Sequence, residues 1–227
     1  MKPITIAIDG PSGAGKSTVA RALASRLRYT YIDTGAMYRA AALLGIEAGV
    51  PLEDESGTIA LTERMDLHFA PGDNGTQRVF IDGRDVTEAL RTAEVTRLSS
   101  PVSAISGVRR VLVSLQKRMG AGGGVVMEGR DIGTVVFPNA EVKVFLTASE
   151  EERALRRWRE RHSKGDNVTV EQIMQQQRER DQRDSSRADS PLAAAPDAIT
   201  VNSDGMTADE VVDRILAIAE ERGAAIS

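Results

Sequence analysis

The residues best suited to chemistry lie near the start of the chain, where Gly10 to Ser17 read Gly-Pro-Ser-Gly-Ala-Gly-Lys-Ser. They match the phosphate-binding pattern G-x-x-x-x-G-K-[ST] at every position. In such a loop, backbone N–H groups turn towards a polyphosphate, Lys16 reaches its outer phosphates, and the Ser17 hydroxyl is placed to ligate Mg²⁺. The pattern predicts a nucleoside triphosphate site formed by Gly10, Pro11, Ser12, Gly13, Ala14, Gly15, Lys16, Ser17 and Thr18.

The segments on either side of this loop support the assignment. Residues 4–8 form a short apolar, β-branched run of the kind found in buried parallel strands. Behind the loop, apolar residues recur at helical spacing, at Val19, Leu23, Ala24 and Leu27. A chance glycine-rich turn is the competing interpretation, and the order of strand, loop and helix counts against it. The helix N-terminus would add its own N–H groups to an anion site.

Composition narrows the class of protein. At 227 residues the chain can form one α/β domain with a modest insertion. It has no cysteine, as expected in a reducing cytoplasm, and a net charge of −4, which disfavours general nucleic-acid binding. We see no room for a signal peptide before the first strand and no apolar run long enough to cross a bilayer. His68 and His162 are far apart and predict no metal cluster. We therefore expect a soluble, cytoplasmic protein without nucleic-acid or membrane partners.

The segment from about residue 62 to 119 differs from its surroundings. A second strand is expected near residues 29–32, and then Asp33 or Thr34 is suited to cap the helix that follows. From residue 66 to 86 the sequence alternates in strand fashion around Pro71–Gly75, which has the composition of a hairpin turn. Helical segments follow near 93–104 and 108–119. This change predicts an inserted sub-domain.

The chain then returns to the parallel-strand type. Residues 125–127 are apolar and lead into Arg130 and Asp131, which would stand at the carboxyl end of a strand, where open α/β sheets bind ligands. The two side chains could also merely neutralise each other. Further strands are expected at 142–146 and 199–201, and Ser149 and Thr207 are suited to cap the helices that follow them.

Two arginine-rich helices are expected between residues 149 and 189. The first carries Arg153, Arg156, Arg157, Arg159 and Arg161, and the second carries Arg178, Arg180, Arg183 and Arg187. A turn at 165–167 separates them. The pattern fits a mobile lid that is open without ligand and closes over bound nucleotides, and it also fits a solvated helix pair joined by salt bridges.

These elements predict a three-layer α/β fold of the P-loop type, with a central parallel sheet. We divide the chain into a core of residues 1–61, 120–148 and 190–227, an inserted sub-domain at 62–119, and a lid at 149–189.

Three classes of P-loop protein compete for this pattern. A regulatory GTPase would need a D-x-x-G switch after a strand and an N-K-x-D motif; the D-x-x-G at residues 54–57 lies in a polar connection, and N-K-x-D does not occur. The chain is short for a motor or transport ATPase. A small-molecule kinase needs a triphosphate site, an arginine-rich acceptor site and a lid, and the sequence supplies all three. Abundant arginine without an evident base favours a phosphate acceptor, which is already ionised at neutral pH.

The sequence resembles the bacterial cytidylate kinases over nearly its whole length. The resemblance rests on the stretch Ile8–Thr18, on Asp33–Arg39, on Glu128–Pro138, and on Glu179–Asp181 with Asp184 and Arg187. In that family the inserted region forms an enlarged nucleoside-monophosphate-binding domain. One position departs from the pattern, because the family often has Ser where Thr34 stands, which keeps the hydroxyl.

The resemblance implies roles for individual residues. It implies ATP at residues 10–18 with Mg²⁺ held by Ser17, and phosphoryl transfer from ATP to CMP or dCMP. Around the acceptor it implies Thr34, Arg39, Arg130 and Arg187 at the phosphate, Ser100, Arg109 and Asp131 at the cytosine edge, and Arg180 and Asp184 at the ribose. For stabilisation of the transferred group we select Lys16, Arg130 and two lid arginines that share a helix face, Arg153 and Arg157.

Two other functions remain compatible with the residues. One is a kinase for another nucleoside monophosphate, such as UMP. The other is a nucleotide-dependent binding switch in which hydrolysis only times a conformational change. For the kinase we expect a monomer.

Overall fold

A computed structural model of the chain describes residues 3–72, 76–163 and 165–224. In chain order, its elements are β1 (Thr5–Asp9), α1 (Lys16–Leu27), β2 (Thr30–Asp33), α2 (Thr34–Glu47), α3 (Glu55–Arg64), β3 (Leu67–Pro71), β4 (Gln77–Ile81), β5 (Arg84–Asp85), a 3₁₀ turn (Ala89–Arg91), α4 (Ala93–Val102), α5 (Ser106–Gly120), β6 (Val125–Gly129), a π-helical turn (Ile132–Val136), β7 (Val142–Thr147), α6 (Glu150–His162), α7 (Val170–Ser185), β8 (Ile199–Asn202) and α8 (Ala208–Glu221).

Backbone contacts divide the chain into two compact units. The first comprises residues 1–30 and 123–227, and the second comprises residues 31–122. The expected lid helices, α6 and α7, fall in the first unit together with the phosphate-binding loop. A lid is defined by movement rather than by contact density, so the three-part division of the sequence analysis stays a prediction.

A parallel sheet forms the centre of the first unit. β1 pairs with β6 on one side and with β7 on the other, and β8 pairs with the far side of β7. Every residue of β1 and β6 is buried, in keeping with the apolar runs Ile6–Ile8 and Val125–Met127 within them. Helices flank this sheet, with α1 packed on β6 and on α8. The predicted α/β class with a parallel sheet is confirmed.

The register of this sheet decides where the functional residues meet. Asp9, the last residue of β1, lies opposite Gly129, the last residue of β6. The segments that begin at Gly10 and at Arg130 therefore leave the sheet side by side, at the edge formed by the carboxyl ends of the strands.

In its described residues, the second unit contains an antiparallel sheet and four α-helices. β3, β4 and β5 pair in that order, with Leu67 opposite Ile81 and Pro71 opposite Gln77. The predicted antiparallel pairing is thus confirmed, whereas residues 73–75 of the predicted hairpin turn lie outside the described residues. α2 packs on α3 and α4, and α5 packs on α3.

Side-chain caps fix the starts of several helices. Asp33, rather than Thr34, caps α2 by accepting a hydrogen bond from the backbone N–H of Ala36. Ser149 accepts from the N–H of Glu152, and Thr207 forms a full capping box with Glu210, as predicted. None of the helices within the described residues combines the length and apolarity needed to cross a membrane.

Candidate functional site

The backbone of the phosphate-binding loop is shaped by close approach of other elements. Gly10 has φ +151°, and a Cβ atom there would lie 2.0 Å from the carbonyl oxygen of Leu146 on β7. Gly13 has φ +78°, and its Cβ would lie 2.4 Å from Nε2 of Gln177 on α7. A side chain at Gly10, the first glycine of the pattern, would clash with the backbone of β7. Gly13 stands where the pattern allows any residue, and its positive φ favours glycine in this chain.

The loop ends at an α1 N-terminus that has no side-chain cap. Its N-cap residue is Gly15, and no acidic residue stands in the first turn. The first N–H groups of a helix need an external partner, and together with the helix dipole they favour an anion. Ser17 and Thr18 are exposed in this turn. The geometry fits the predicted phosphate site.

Lys16 is buried, with 6% of its surface exposed, and its Nζ donates a 2.7 Å hydrogen bond to the carbonyl oxygen of Pro11. Burial lowers the pKa of this amine to about 7; the nearby positive charge of Arg130 adds to the shift, and Glu128 opposes it. Two cationic side chains are therefore held close enough to repel each other. Such an arrangement favours binding of a polyanion.

Residues of α6 and α7 form hydrogen bonds to the loop at Ser12. The Ser12 N–H donates to Oδ1 of Asp181 at 2.9 Å, and Arg153 donates to the Ser12 carbonyl oxygen at 2.8 Å. Arg153 also forms an ion pair with Asp181. Within the described part of the chain, Nε of Arg153 has no hydrogen-bond acceptor although it is buried. Asp181 thus balances the charge of Arg153 where this arginine contacts the loop.

The other lid arginines have different surroundings. Arg157 pairs with Glu160 on the surface of α6, and 42% of its side chain is exposed. Its role in catalysis stays a prediction. Arg156, to which the sequence analysis gave no role, donates to Oγ and to the carbonyl oxygen of Ser203. Its NH1 would lie 3.8 Å from a Cβ at Gly15, so it borders the loop.

Predicted acceptor-site residues converge on one buried carboxylate. Arg130 donates from Nε to Oδ2 of Asp184 at 2.8 Å, and Arg187 pairs with the other oxygen. Only 2% of the Asp184 side chain is exposed. Burial alone would raise the pKa of Asp184, but the charges of Arg130, Arg187 and Arg180 hold it below its usual value. The structure thus joins these four predicted residues in one cationic cluster.

Asp131 follows Arg130 and is also buried, with 4% of its surface exposed. The next two residues, Ile132 and Gly133, each donate a backbone hydrogen bond of 2.8 Å to the carboxylate of Asp9. Sequence reasoning assigned no role to Asp9. The hydrogen-bond partners of Asp9 lie more than 120 residues away in the sequence. The only local sign of its role was therefore a charged residue at the end of an otherwise apolar strand.

The remaining predicted residues belong to the second unit. Arg39 pairs with Oδ2 of Asp33 at 2.8 Å, next to the buried Thr34. Ser100 and Arg109 meet at Ser103, whose Oγ donates to the Ser100 carbonyl oxygen and whose own carbonyl oxygen accepts from Arg109.

Ser100 and Arg109 line a buried polar region. Arg109 lies over the ring of Tyr38 at 5.5 Å. Ser100 Oγ is buried, and no described residue offers it a hydrogen bond. A buried hydroxyl without a partner costs free energy, so it is suited to receive a polar ligand atom.

Within the described residues, no group of three His, Cys, Asp or Glu side chains could hold a metal ion. Mg²⁺ bound at a nucleotide ordinarily needs only one or two protein oxygens, beside phosphate oxygens and waters. The exposed Ser17 hydroxyl is a suitable protein oxygen.

Comparison with known proteins identifies the family. A profile of the family described as cytidylate kinase matches residues 6–221. The chain belongs to the cytidylate kinase family. A cytidylate kinase from Carboxydothermus hydrogenoformans is 53% identical over 213 residues, which cover 94% of this chain and 96% of the relative. One from Bacillus licheniformis is 48% identical over 221 residues, covering 97% and 98%. The chain is thus a kinase, a phosphotransferase that binds nucleotides.

Solved structures support the fold of this cytidylate kinase family member. An uncharacterized protein from Eubacterium ventriosum superimposes with a TM-score of 0.53, at 11% identity, over 97% of this chain and 99% of its own. At such low identity the likeness concerns the fold alone.

Proposed function

We propose that the chain transfers the γ-phosphate of ATP to CMP or dCMP, giving ADP and CDP or dCDP. The proposal is carried by one observation: Lys16 and Arg130 lie on segments that follow adjacent parallel strands, and the charge of Arg130 is near enough to lower the pKa of the Lys16 amine. A triphosphate on the loop and a monophosphate at Arg130 would bring the reacting groups together between these two cations. The names of the relatives support cytidine as the nucleoside.

Binding of the donor follows from the loop and from α1. The backbone N–H groups of residues 10–18 and the uncapped α1 N-terminus would hold the phosphates. Lys16 would leave its bond to the Pro11 carbonyl oxygen and turn to the outer phosphates. Mg²⁺ would be held by Ser17 and phosphate oxygens, and when bound it neutralises phosphate charge.

The acceptor would be bound mainly by arginine side chains. We assign Arg130 and Arg187, with Thr34 and Arg39, to the monophosphate. Arg180 and Asp184 would meet the ribose. The nucleophile is a phosphate oxygen that is already ionised, so no general base is needed. Arg153, held at Ser12, would exchange Asp181 for the transferred group and stabilise its charge.

Selection of the base is assigned to Asp131, Ser100 and Arg109. Cytosine presents an amine where uracil presents a carbonyl oxygen. A carboxylate facing that position accepts a hydrogen bond from cytosine and repels uracil. The Ser100 hydroxyl, which lacks a partner among the described residues, would gain one from the base. These contacts favour CMP over UMP as substrate.

We also propose that the kinase acts as a monomer in the cytoplasm. Every residue assigned to the site comes from a single chain. The absence of cysteine from the sequence fits a reducing compartment.

A panel of nucleoside monophosphates tests the proposal. ADP release from ATP and Mg²⁺ is followed with each monophosphate and without acceptor. We expect rapid release with CMP and dCMP and little with UMP. Slow release that ignores the acceptor would indicate a nucleotide-dependent switch instead, and a preference for UMP would contradict the assigned base.

A further inference from the structure

The turn after β6 begins at an aspartate that does not cap it. Asp131 stands at the N-cap position of the π-helical turn, and its side chain makes no capping hydrogen bond. Aspartate at this position ordinarily accepts from the first N–H groups of the turn. Two other aspartates of the chain, Asp33 and Asp54, do so at the starts of α2 and α3. Another residue must therefore cap the turn at residues 132–136.

Asp9, on the neighbouring strand, supplies that cap. Its Oδ1 accepts from the N–H of Ile132 and its Oδ2 from the N–H of Gly133, both at 2.8 Å. Asp9 is 4% exposed, so these bonds are shielded from water. Both of its oxygens are thus committed to the two residues that follow Asp131.

Close packing fixes the same turn from a second side. A Cβ atom at Gly133 would lie 3.4 Å from Oδ2 of Asp9 and 3.3 Å from Cδ of Lys143 on β7. The turn is therefore held between β1 and β7, and the position of Asp131 depends on both strands. Burial raises the pKa of Asp9 to about 6, against the effect of its two backbone hydrogen bonds. Asp9 is ionised at neutral pH.

We propose that Asp9 is a positioning residue for base selection: by capping the turn from β1, it fixes the place of Asp131 at the start of that turn. This inference rests on the proposed function, in which Asp131 accepts from the cytosine amine. If Asp9 lost one acceptor oxygen, a buried N–H of the turn would have no partner. The carboxylate at the N-cap position, that of Asp131, is the nearest in sequence that could replace it.

A double-mutant cycle tests this relationship. The variants are Asp9→Asn, Asp131→Asn and the double variant, and the readout is the ratio of kcat/KM for CMP to that for UMP. Asp9→Asn places an NH₂ group against one backbone N–H without changing side-chain size. We expect each single variant to lower the ratio at least about tenfold, and the double variant to lower it no further than the larger single effect. Binding of CMP without ATP should weaken in the same order.

Two further variants complete the test. Asp54→Asn makes the same change at a carboxylate that caps α3, and it should leave the ratio unchanged. If Asp9→Asn does not fold, Gly133→Ala takes its place in the cycle, because its Cβ would lie 3.3 Å from Cδ of Lys143, closer than packed carbon atoms ordinarily approach.

The outcomes separate this inference from the proposed function. Equal losses for CMP and UMP in the Asp9 or Gly133 variant, or effects that add to those of Asp131→Asn, would overturn the positioning role. Wild-type protein that does not prefer CMP would instead reject the proposed function.

Discussion

Arg130 donates from Nε to the Asp184 carboxylate at 2.8 Å, and these two residues lie 54 positions apart in the sequence. Asp184 is 2% exposed and also pairs with Arg187. Three charged side chains are therefore positioned before any phosphate binds. Pre-positioned arginines lose less side-chain entropy on binding, which strengthens recognition of an acceptor phosphate.

Asp184→Asn is expected to weaken acceptor binding more than donor binding. Breaking a buried ion pair leaves Arg130 and Arg187 without their counter-charge and costs about 3–5 kcal/mol. We expect the KM for CMP to rise at least about tenfold, the KM for ATP to change less, and the melting temperature to fall. Steady-state kinetics and thermal unfolding measure these effects. Asp213→Asn, which alters an exposed pair with Arg26, is the control and should change neither KM. Equal rises in both KM values would contradict the acceptor assignment.

Lys16→Ala should preserve the fold and remove most phosphoryl transfer. The amine is assigned to the outer phosphates, where charge develops in the transition state, and such contacts are worth about 3 kcal/mol or more. We expect kcat with ATP and CMP to fall at least about a hundredfold. Circular dichroism checks the fold, and near-normal turnover would rule out the assigned role of the loop.

The parallel sheet and its loop could be predicted because their signals are local. The strands β1 and β6 each contain a short apolar run, and the loop pattern requires glycine at Gly10, where a side chain would meet β7. Both features are encoded within a few residues of where they appear. Helix starts such as that at Thr207 were predictable for the same reason.

Contacts between distant segments could not be predicted in this way. Asp9 caps a turn more than 120 residues away, and only the β1–β6 register brings the two together. Arg153 and Arg157 share a helix face by spacing, yet one side chain is 7% exposed and the other 42%. Helical periodicity alone does not show which part of that face is buried, because this depends on how α6 packs against the loop and α7.

Lys16 should take up a proton when ATP binds. The pKa of the free amine is lowered to about 7, mainly by burial, so at pH 8 most of it is neutral. Phosphate oxygens would raise that pKa, so that Lys16 binds a proton again. The terminal phosphate itself, with a pKa of about 6, is already ionised at pH 8 and releases no proton to offset this uptake. Calorimetry of ATP binding in buffers of different ionisation enthalpy should show an uptake approaching one proton at pH 8. Lys16→Met should abolish it.

Lys16 also affects stability with a defined sign. Its folded-state pKa lies below the ordinary value of 10.5, so between pH 7 and 10.5 the unfolded chain binds the proton that the folded chain has lost. The contribution of Lys16 to the free energy of unfolding therefore rises with pH across this window. Denaturant unfolding of wild type and Lys16→Met at several pH values should show this rise only in the wild type.

Binding of both nucleotides should rearrange the lid helices. Arg153 must leave Asp181 to reach a phosphate, which releases one link between α6 and α7. Trp158, the only tryptophan in the sequence, lies on α6 and stacks on His162 with ring centroids 4.7 Å apart. Its fluorescence and the protease sensitivity of residues 165–169 should change with CMP plus a non-hydrolysable ATP analogue. Unchanged signals under saturation would argue against a moving lid.

The last prediction separates the two lid arginines selected from sequence. Arg153 is buried and contacts the loop through the Ser12 carbonyl oxygen, whereas Arg157 pairs with Glu160 at the surface. We expect Arg153→Ala to lower kcat about a hundredfold or more, as for loss of a transition-state contact, and Arg157→Ala to lower it less than about threefold. Since both substitutions remove the same side chain from one helix, each controls for the other in helix stability. Comparable losses in the two variants would mean that α6 turns when nucleotides bind and brings Arg157 to the transferred phosphate.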